Sequence, residues 1–149
     1  MTTTSGVAAY LTVHNAAEAI EFYQQAFGAT EVLRLDGPGG QIAHAELEIA
    51  GQPVMICDPL PWFSTKPPTV LGGTSASVLV YVDDVDAALR RAVEAGATLR
   101  NEAKDQFWGD RLGEVFDPFG HSWLLATHIE DLTPDEIAER ARAAAAAHG

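Results

Sequence analysis

The sequence predicts an α+β protein built from two βαβββ modules, and three observations lead there. The first is internal repetition. Leu11-Thr12-Val13-His14-Asn15, a helix-like run and Gly28-Ala29-Thr30 return as Val80-Tyr81-Val82-Asp83-Asp84, a second run and Gly96-Ala97-Thr98. The repeat distance is close to half the chain and shifts by one residue between the strand end and the glycine, which marks a duplicated supersecondary unit and not a solenoid. The second is that each helical run is followed by three short strand-like segments. The third is composition: 149 residues, 47% hydrophobic in short periodic runs, suffice for one ordinary core without staples.

In the first module, residues 7–13 are rich in β-favouring types and read as a strand. Asn15 with Glu18 three residues on forms a capping-box-like helix start. Ala16, Ile20, Tyr23 and Phe27 then recur at helical spacing as one apolar stripe, and Gly28 suits the left-handed residue that ends the helix. Strands are expected at about 31–35, 41–49 and 54–57. Gly37-Pro38-Gly39-Gly40 between the first two is a hairpin turn. It lacks the Gly-Lys-Ser/Thr and following helix of a phosphate loop.

The second module repeats the plan. Residues 78–82 are its first strand, Asp84 its cap, Val85, Leu89 and Ala92 its stripe, and Gly96 its stop. Strands follow at about 98–103, 113–116 and 122–127. The expected organisation is one domain over 1–132, with module one at about 7–58, a proline-rich linker at 59–75 carrying Trp62 and Phe63, and module two at about 76–131. Residues 133–149 form a helical tail. Thr133, Pro134 and Glu136 supply its start, and its alanine-rich body has little to bury.

A formal net charge of −12 provides no basic face for nucleic acid and disfavours anionic membrane surfaces. No apolar stretch reaches membrane-spanning length, and residues 1–6 carry no leader-like pattern, so the expected location is cytoplasmic. The lone Cys57 agrees with a reducing compartment and reads as a small buried hydrophobe. No Gly-x-Ser-x-Gly elbow is present, so nucleophilic catalysis has no support.

Several polar residues are candidates for a site. On the strand at 41–49, alternation sets Ile42, His44, Glu46 and Glu48 on one face and Ala43, Ala45, Leu47 and Ile49 on the other. The apolar set should meet the helices, leaving His44 and Glu46 to a cavity or to solvent. Trp108, Asp110 and Arg111 are expected in the turn before the strand at 113–116. There they form either a stacking wall with charge-assisted anchors for a ligand or a plain surface turn. His121 reads as a core-edge residue bonded to backbone, and His14, His128 and His148 as surface residues.

The duplicated βαβββ plan, the Ala19-Ile20-Glu21-Phe22-Tyr23 to Phe27-Gly28 helix and the Asp117-Pro118-Phe119-Gly120-His121 turn resemble the vicinal oxygen chelate (glyoxalase/bleomycin resistance/dioxygenase) superfamily. The run from Asp105-Gln106-Phe107-Trp108-Gly109-Asp110-Arg111 to Ala126-Thr127-His128 is similar to its PhnB-like branch. The resemblance implies a curved mixed sheet around a central cavity between the modules, a small-molecule ligand and a homodimer. In metal-dependent members, His or Glu ligands stand on the first and last strand of each module. Here those positions fall on Ala8, Ser77, Leu124 and one of Met55, Ile56 and Cys57, which cannot assemble the three His, Asp or Glu ligands that a catalytic divalent ion needs.

Three readings follow from the resemblance. One is a metal-free, cofactor-free protein binding a small organic molecule. In it Tyr10, Leu79 and Leu124, beside Ala8 and Ser77, would form the floor, with Trp108 and Asp110 at the wall. If chemistry occurs, of a glyoxalase-like lyase or isomerase kind, His44 or Glu46 would be the base and Arg111 would hold a negative oxygen. Another is a metal-dependent lyase, isomerase or dioxygenase with displaced ligands such as His44, Glu46 and His121. The last is drug sequestration of the bleomycin-resistance type, with which the negative charge is compatible.

Overall fold

The computed structural model describes residues 5–148; residues 1–4 of the expected domain and residue 149 of the tail lie outside the described residues. The duplication appears directly. Module one runs β1 (Ala9–Thr12), α1 (Ala16–Phe27), β2 (Thr30–Asp36), β3 (Ile42–Ile49) and β4 (Gln52–Cys57). After a short helix α2 (Pro68–Leu71), module two runs β5 (Ser77–Tyr81), α3 (Val85–Ala95), β6 (Thr98–Asp105), β7 (Asp110–Phe116) and β8 (Ser122–His128), and α4 (Pro134–His148) follows. The strands form two four-stranded mixed sheets, ordered β1-β4-β3-β2 and β5-β8-β7-β6, and neither closes into a barrel. In each, the first and last strands of the module are parallel and the other pairs antiparallel.

The helix signals act as their chemistry requires. Asn15 Oδ1 accepts the Glu18 amide at 3.2 Å and Asp84 Oδ1 the Ala87 amide at 3.1 Å. Gly28 closes α1 at φ 68°, donating its N–H to the Tyr23 carbonyl. The first amide of α1 and of α3 also meets a side chain from the end of its module's sheet. Asp58 Oδ1 accepts from Ala16 at 2.9 Å, and Thr127 Oγ1 from Val85 at 2.9 Å. Buried Asp58 reaches the Ile42 amide as well, at 2.7 Å, pinning β3 to the end of β4.

The helices lie side by side, with Arg91 Nε donating to the Gln25 carbonyl at 2.8 Å, and one core joins both modules. Its centre is fully buried Trp123, Tyr23 and Ile20, with Trp123 4.4 Å from the Phe27 ring. Asp117 ties the halves together. It accepts the Tyr23 hydroxyl at 2.5 Å, Trp123 Nε1 at 2.9 Å and the backbone amides of Phe119 and His121 at 2.9 Å. His121 Nε2 lies 2.9 Å from the Thr12 carbonyl, a backbone partner across the module boundary.

One element differs from the expected turn before 113–116. β7 begins at Asp110, because Asp110 and Arg111 find ladder partners in His128 and Thr127, and the turn contracts to residues 106–109. Neighbouring strand residues point to opposite faces, so Asp110 and Arg111 part company. The tail helix begins as expected, Thr133 Oγ1 accepting the Glu136 amide at 3.2 Å, and none of its residues is buried. Among the described residues no helix is long and apolar enough to cross a membrane.

Candidate functional site

Helices α1 and α3 cover one face of each sheet, and register fixes what the other face carries. In module one Thr12 pairs with Cys57 and Leu35 with His44, while Tyr10 pairs with Met55, Met55 with Glu46 and Glu46 with Leu33. Tyr10, His44, Glu46, Met55, Leu33 and Leu35 therefore share the uncovered face. The opposite side chains, Leu11, Ala45, Leu47 and Ile56, are buried under α1. Three residues of this face were expected to form a site, and the structure gathers them. The Tyr10 hydroxyl and His44 Nδ1 are hydrogen-bonded at 2.7 Å, and Glu46 stands one pair along the same strand. Burial is the main cause of the raised Tyr10 pKa, with Cys57 adding to it, so the phenol stays protonated at neutral pH.

In module two Leu79 pairs with Leu124 and Leu124 with Glu114, while Tyr81 pairs with Ala126 and Ala126 with Leu112. The expected floor residues Leu79 and Leu124 are thus direct neighbours. A polar chain that sequence reasoning missed runs beside them. Asn101 donates to Glu114 Oε1 at 3.0 Å, the Ser122 hydroxyl to Glu114 Oε2 at 2.7 Å, and the Ser122 and Ser77 hydroxyls meet at 2.7 Å. Its members are scattered in sequence over four strands and adjacent only through register.

Apolar side chains on these faces are open in the single chain: Leu35 is 52% exposed, Leu79 46% and Tyr81 54%. Linker residue Phe63 packs on Tyr10 with ring centroids 5.7 Å apart, and Trp62 beside it is exposed. The modules adjoin along β1 and β5, where Tyr10, Thr12, Thr65, Ser77 and His121 line a cleft of about 300 Å³.

Trp108 and Asp110 come together at the end of module two. Asp110 is 4% exposed; its Oδ2 accepts from Tyr81 at 2.8 Å and from Trp108 Nε1 at 3.1 Å, and its Oδ1 meets His128 Nδ1 at 2.9 Å. Burial pushes the Asp110 pKa up, but these bonds outweigh it and hold the carboxyl below its ordinary value. His128, expected as a plain surface residue, sits between two carboxylates, with Nε2 2.6 Å from Asp131. The bonds to Asp110 and Asp131 raise its pKa. The signal available in sequence was the pairing of the first residue of β7 with the last of β8, which requires the strand boundary to be known.

Arg111 does not join this face. It points to the helix side, where it grips Asp86 of α3 through two bonds of 2.9 and 3.1 Å and Asp105 at 3.0 Å, and these carboxylates raise its pKa further. It thus lies on the helix-covered face of the module-two sheet, whereas His44 and Glu46 lie on the uncovered face of the module-one sheet.

The positions that hold metal in the superfamily the sequence resembles do not fit a divalent cation here. The pairing of Tyr10 with Met55 puts Met55 and Cys57, not Ile56, on the uncovered face with Ala8, and Ser77 and Leu124 complete the set. One thioether, one thiol whose pKa burial raises and one hydroxyl offer no adequate ligand field. Among the described residues no group of three or more His, Cys, Asp or Glu side chains could hold a metal ion.

Comparison with known proteins agrees with this architecture. Residues 6–125 match the family described as Glyoxalase/Bleomycin resistance protein/Dioxygenase superfamily. An uncharacterized protein of Mycobacterium tuberculosis is 46% identical over 131 residues, covering 86% of this chain and 77% of that protein. The crystal structure of TioX from Micromonospora sp. ML1 superposes with a TM-score of 0.66 at 29% identity, over 85% of this chain and 100% of TioX. The PhnB protein from Bacillus cereus shares the fold, with a TM-score of 0.61 at 19% identity over 83% of this chain and 99% of PhnB.

Proposed function

The chain belongs to the Glyoxalase/Bleomycin resistance protein/Dioxygenase superfamily, and on that premise we propose that it binds a small organic molecule against the uncovered faces of its two sheets. One observation carries the reading: an open apolar face holds the hydrogen-bonded Tyr10–His44 pair, with Glu46 on the same strand. An apolar surface with a few fixed polar groups is the usual make-up of a ligand site. In this reading Leu79 and Leu124 supply the floor and Tyr10, His44 and Glu46 the polar anchors. Trp108 and Asp110, fixed at the far end of module two, give a rigid aromatic edge. If the bound molecule is transformed, His44 or Glu46 is the base within reach; Arg111, held on the helix side, takes no part. The domain at 1–132 carries the site and the tail at 133–149 does not.

The reading includes a homodimer. Leaving Leu35, Leu79 and Tyr81 half exposed on two open faces is costly, and a second copy can cover module one with module two. Sequestration of a cationic drug is the second reading, favoured by the net charge of −12. Both are tested by titrating bleomycin into the protein by calorimetry while following amide shifts. Binding with shifts at Tyr10, His44, Leu79 and Leu124 supports the shared site, and its loss in His44→Ala/Glu46→Ala supports the polar anchors. Unchanged binding in that folded double variant removes them. Absence of heat at micromolar protein ends the sequestration reading. Elution as a monomer at micromolar concentration refutes the dimer.

A further inference from the structure

On the opposite side of module two, α3 does not fully cover β6 and β7, and a groove of about 450 Å³ remains, open to solvent. Its floor is apolar, formed by Leu89 and Val93 of α3 with Leu99 and Ala103 of β6. Val93 and Leu99 are 41% and 43% exposed, although both belong to the helix–sheet seam. Gly113 of β7 allows the close approach at the base. A Cβ there would stand 2.5 Å from Leu89 Cδ1 and 3.0 Å from the Asn101 carbonyl oxygen.

The charges around this floor do not balance. Asp86, Glu94 and Glu102 line the groove with Arg90 and Arg111. Arg111 is already taken by Asp86 and Asp105, and Arg90 adds its field to the same Asp86, whose pKa the Arg111 bonds lower first. Arg90, like the two remaining carboxylates Glu94 and Glu102, enters no ion pair among the described residues. The lining thus sets three carboxylates against two arginines, and an apolar trough with one carboxylate in excess attracts a cation that carries an apolar body and repels the corresponding anion.

We infer that this groove is a second binding site, separate from the uncovered faces, for a monocationic amphiphile: an amine or quaternary ammonium with a short apolar chain. The apolar chain lies on Leu89, Val93, Leu99 and Ala103, and the charged head sits between Glu94 and Glu102. The volume falls within the range of roughly 300–1,000 Å³ usual for small-molecule sites. Leu99 and Arg111 face α3 while Leu112 faces away, so a ligand here cannot touch Tyr10 or His44.

The test titrates isotope-labelled protein with hexyltrimethylammonium and, separately, with hexanoate, reading backbone amide shifts. The expected result is a saturable shift confined to α3, β6 and β7 with the cation and none with hexanoate. Glu94→Gln/Glu102→Gln should weaken the cation by about three- to tenfold, the size of two nearby charges acting through a largely aqueous medium. Leu99→Ser, at an exposed position, should weaken it independently. No saturable shift, equal binding of hexanoate, shifts centred on Tyr10, His44 or Leu79, or an unchanged affinity in the folded double variant would each overturn the assignment.

Discussion

Replacing Asp110 by Asn removes one charge from a buried, triply bonded side chain of module two and leaves its shape intact. The carboxylate is 4% exposed and takes three bonds, at 2.8 Å from Tyr81, 3.1 Å from Trp108 and 2.9 Å from His128. A bond to an ionised acceptor contributes about 1.5–3 kcal/mol and a neutral one about 0.5–1.5 kcal/mol. An amide oxygen can still serve Tyr81 and Trp108, but its NH2 group must then face His128 Nδ1. Together these changes cost about 2–3 kcal/mol near pH 6. The penalty should also depend on pH. The bonds to Asp110 and Asp131 raise the folded pKa of His128, so its contribution is complete below about pH 6.5 and is lost as pH rises through the raised folded value. A neutral His128 can accept the amide N–H, whereas a protonated one cannot. Asp110 is held below its ordinary value, so its own contribution is present above about pH 3.9 and vanishes as pH falls through the folded value. Urea unfolding of both proteins at about pH 6 and pH 9, compared at equal slope, reads the difference. An unchanged midpoint at pH 6, or a larger penalty at pH 9, would refute the assignment of Asp110 as a charged hub.

Two further outcomes follow from the packing. Asp117→Ala leaves the buried Tyr23 hydroxyl and Trp123 indole without their acceptor and should cost about 3–5 kcal/mol in denaturant unfolding, whereas an effect under 1 kcal/mol would mean that the modules do not rely on this junction. Gly109→Ala forces a side chain at φ 100° and drives its Cβ onto the Glu130 carbonyl, so about 1–3 kcal/mol is lost and the Ile129 and Glu130 amides, which donate to Gly109, exchange faster with solvent. Unaltered exchange at those two amides would show that the turn does not anchor the chain leading to the tail.

The sequence by itself determined what depends on near neighbours and period. Asn15, Asp84 and Thr133 cap helices because each needs only the amide three residues ahead, and the alternation in β3 placed His44 and Glu46 opposite Ala45 and Leu47 without any knowledge of the partner strand. The duplication showed that the two halves share one plan, while the expectation of Leu79 and Leu124 as neighbouring floor residues came from the superfamily resemblance, and the β5–β8 register makes them adjacent. Only the tertiary structure decided the start of β7, because a strand end is set by its ladder partner, here His128, a residue distant along the chain. That boundary turned Asp110 inward to its three donors and Arg111 outward to Asp86. It also decided the chain of Asn101, Glu114, Ser122 and Ser77, and the charge balance of the groove beside α3. These arrangements depend on which side chains two strands, or a strand and a helix, bring within bonding distance. Local propensity carries no record of that distance.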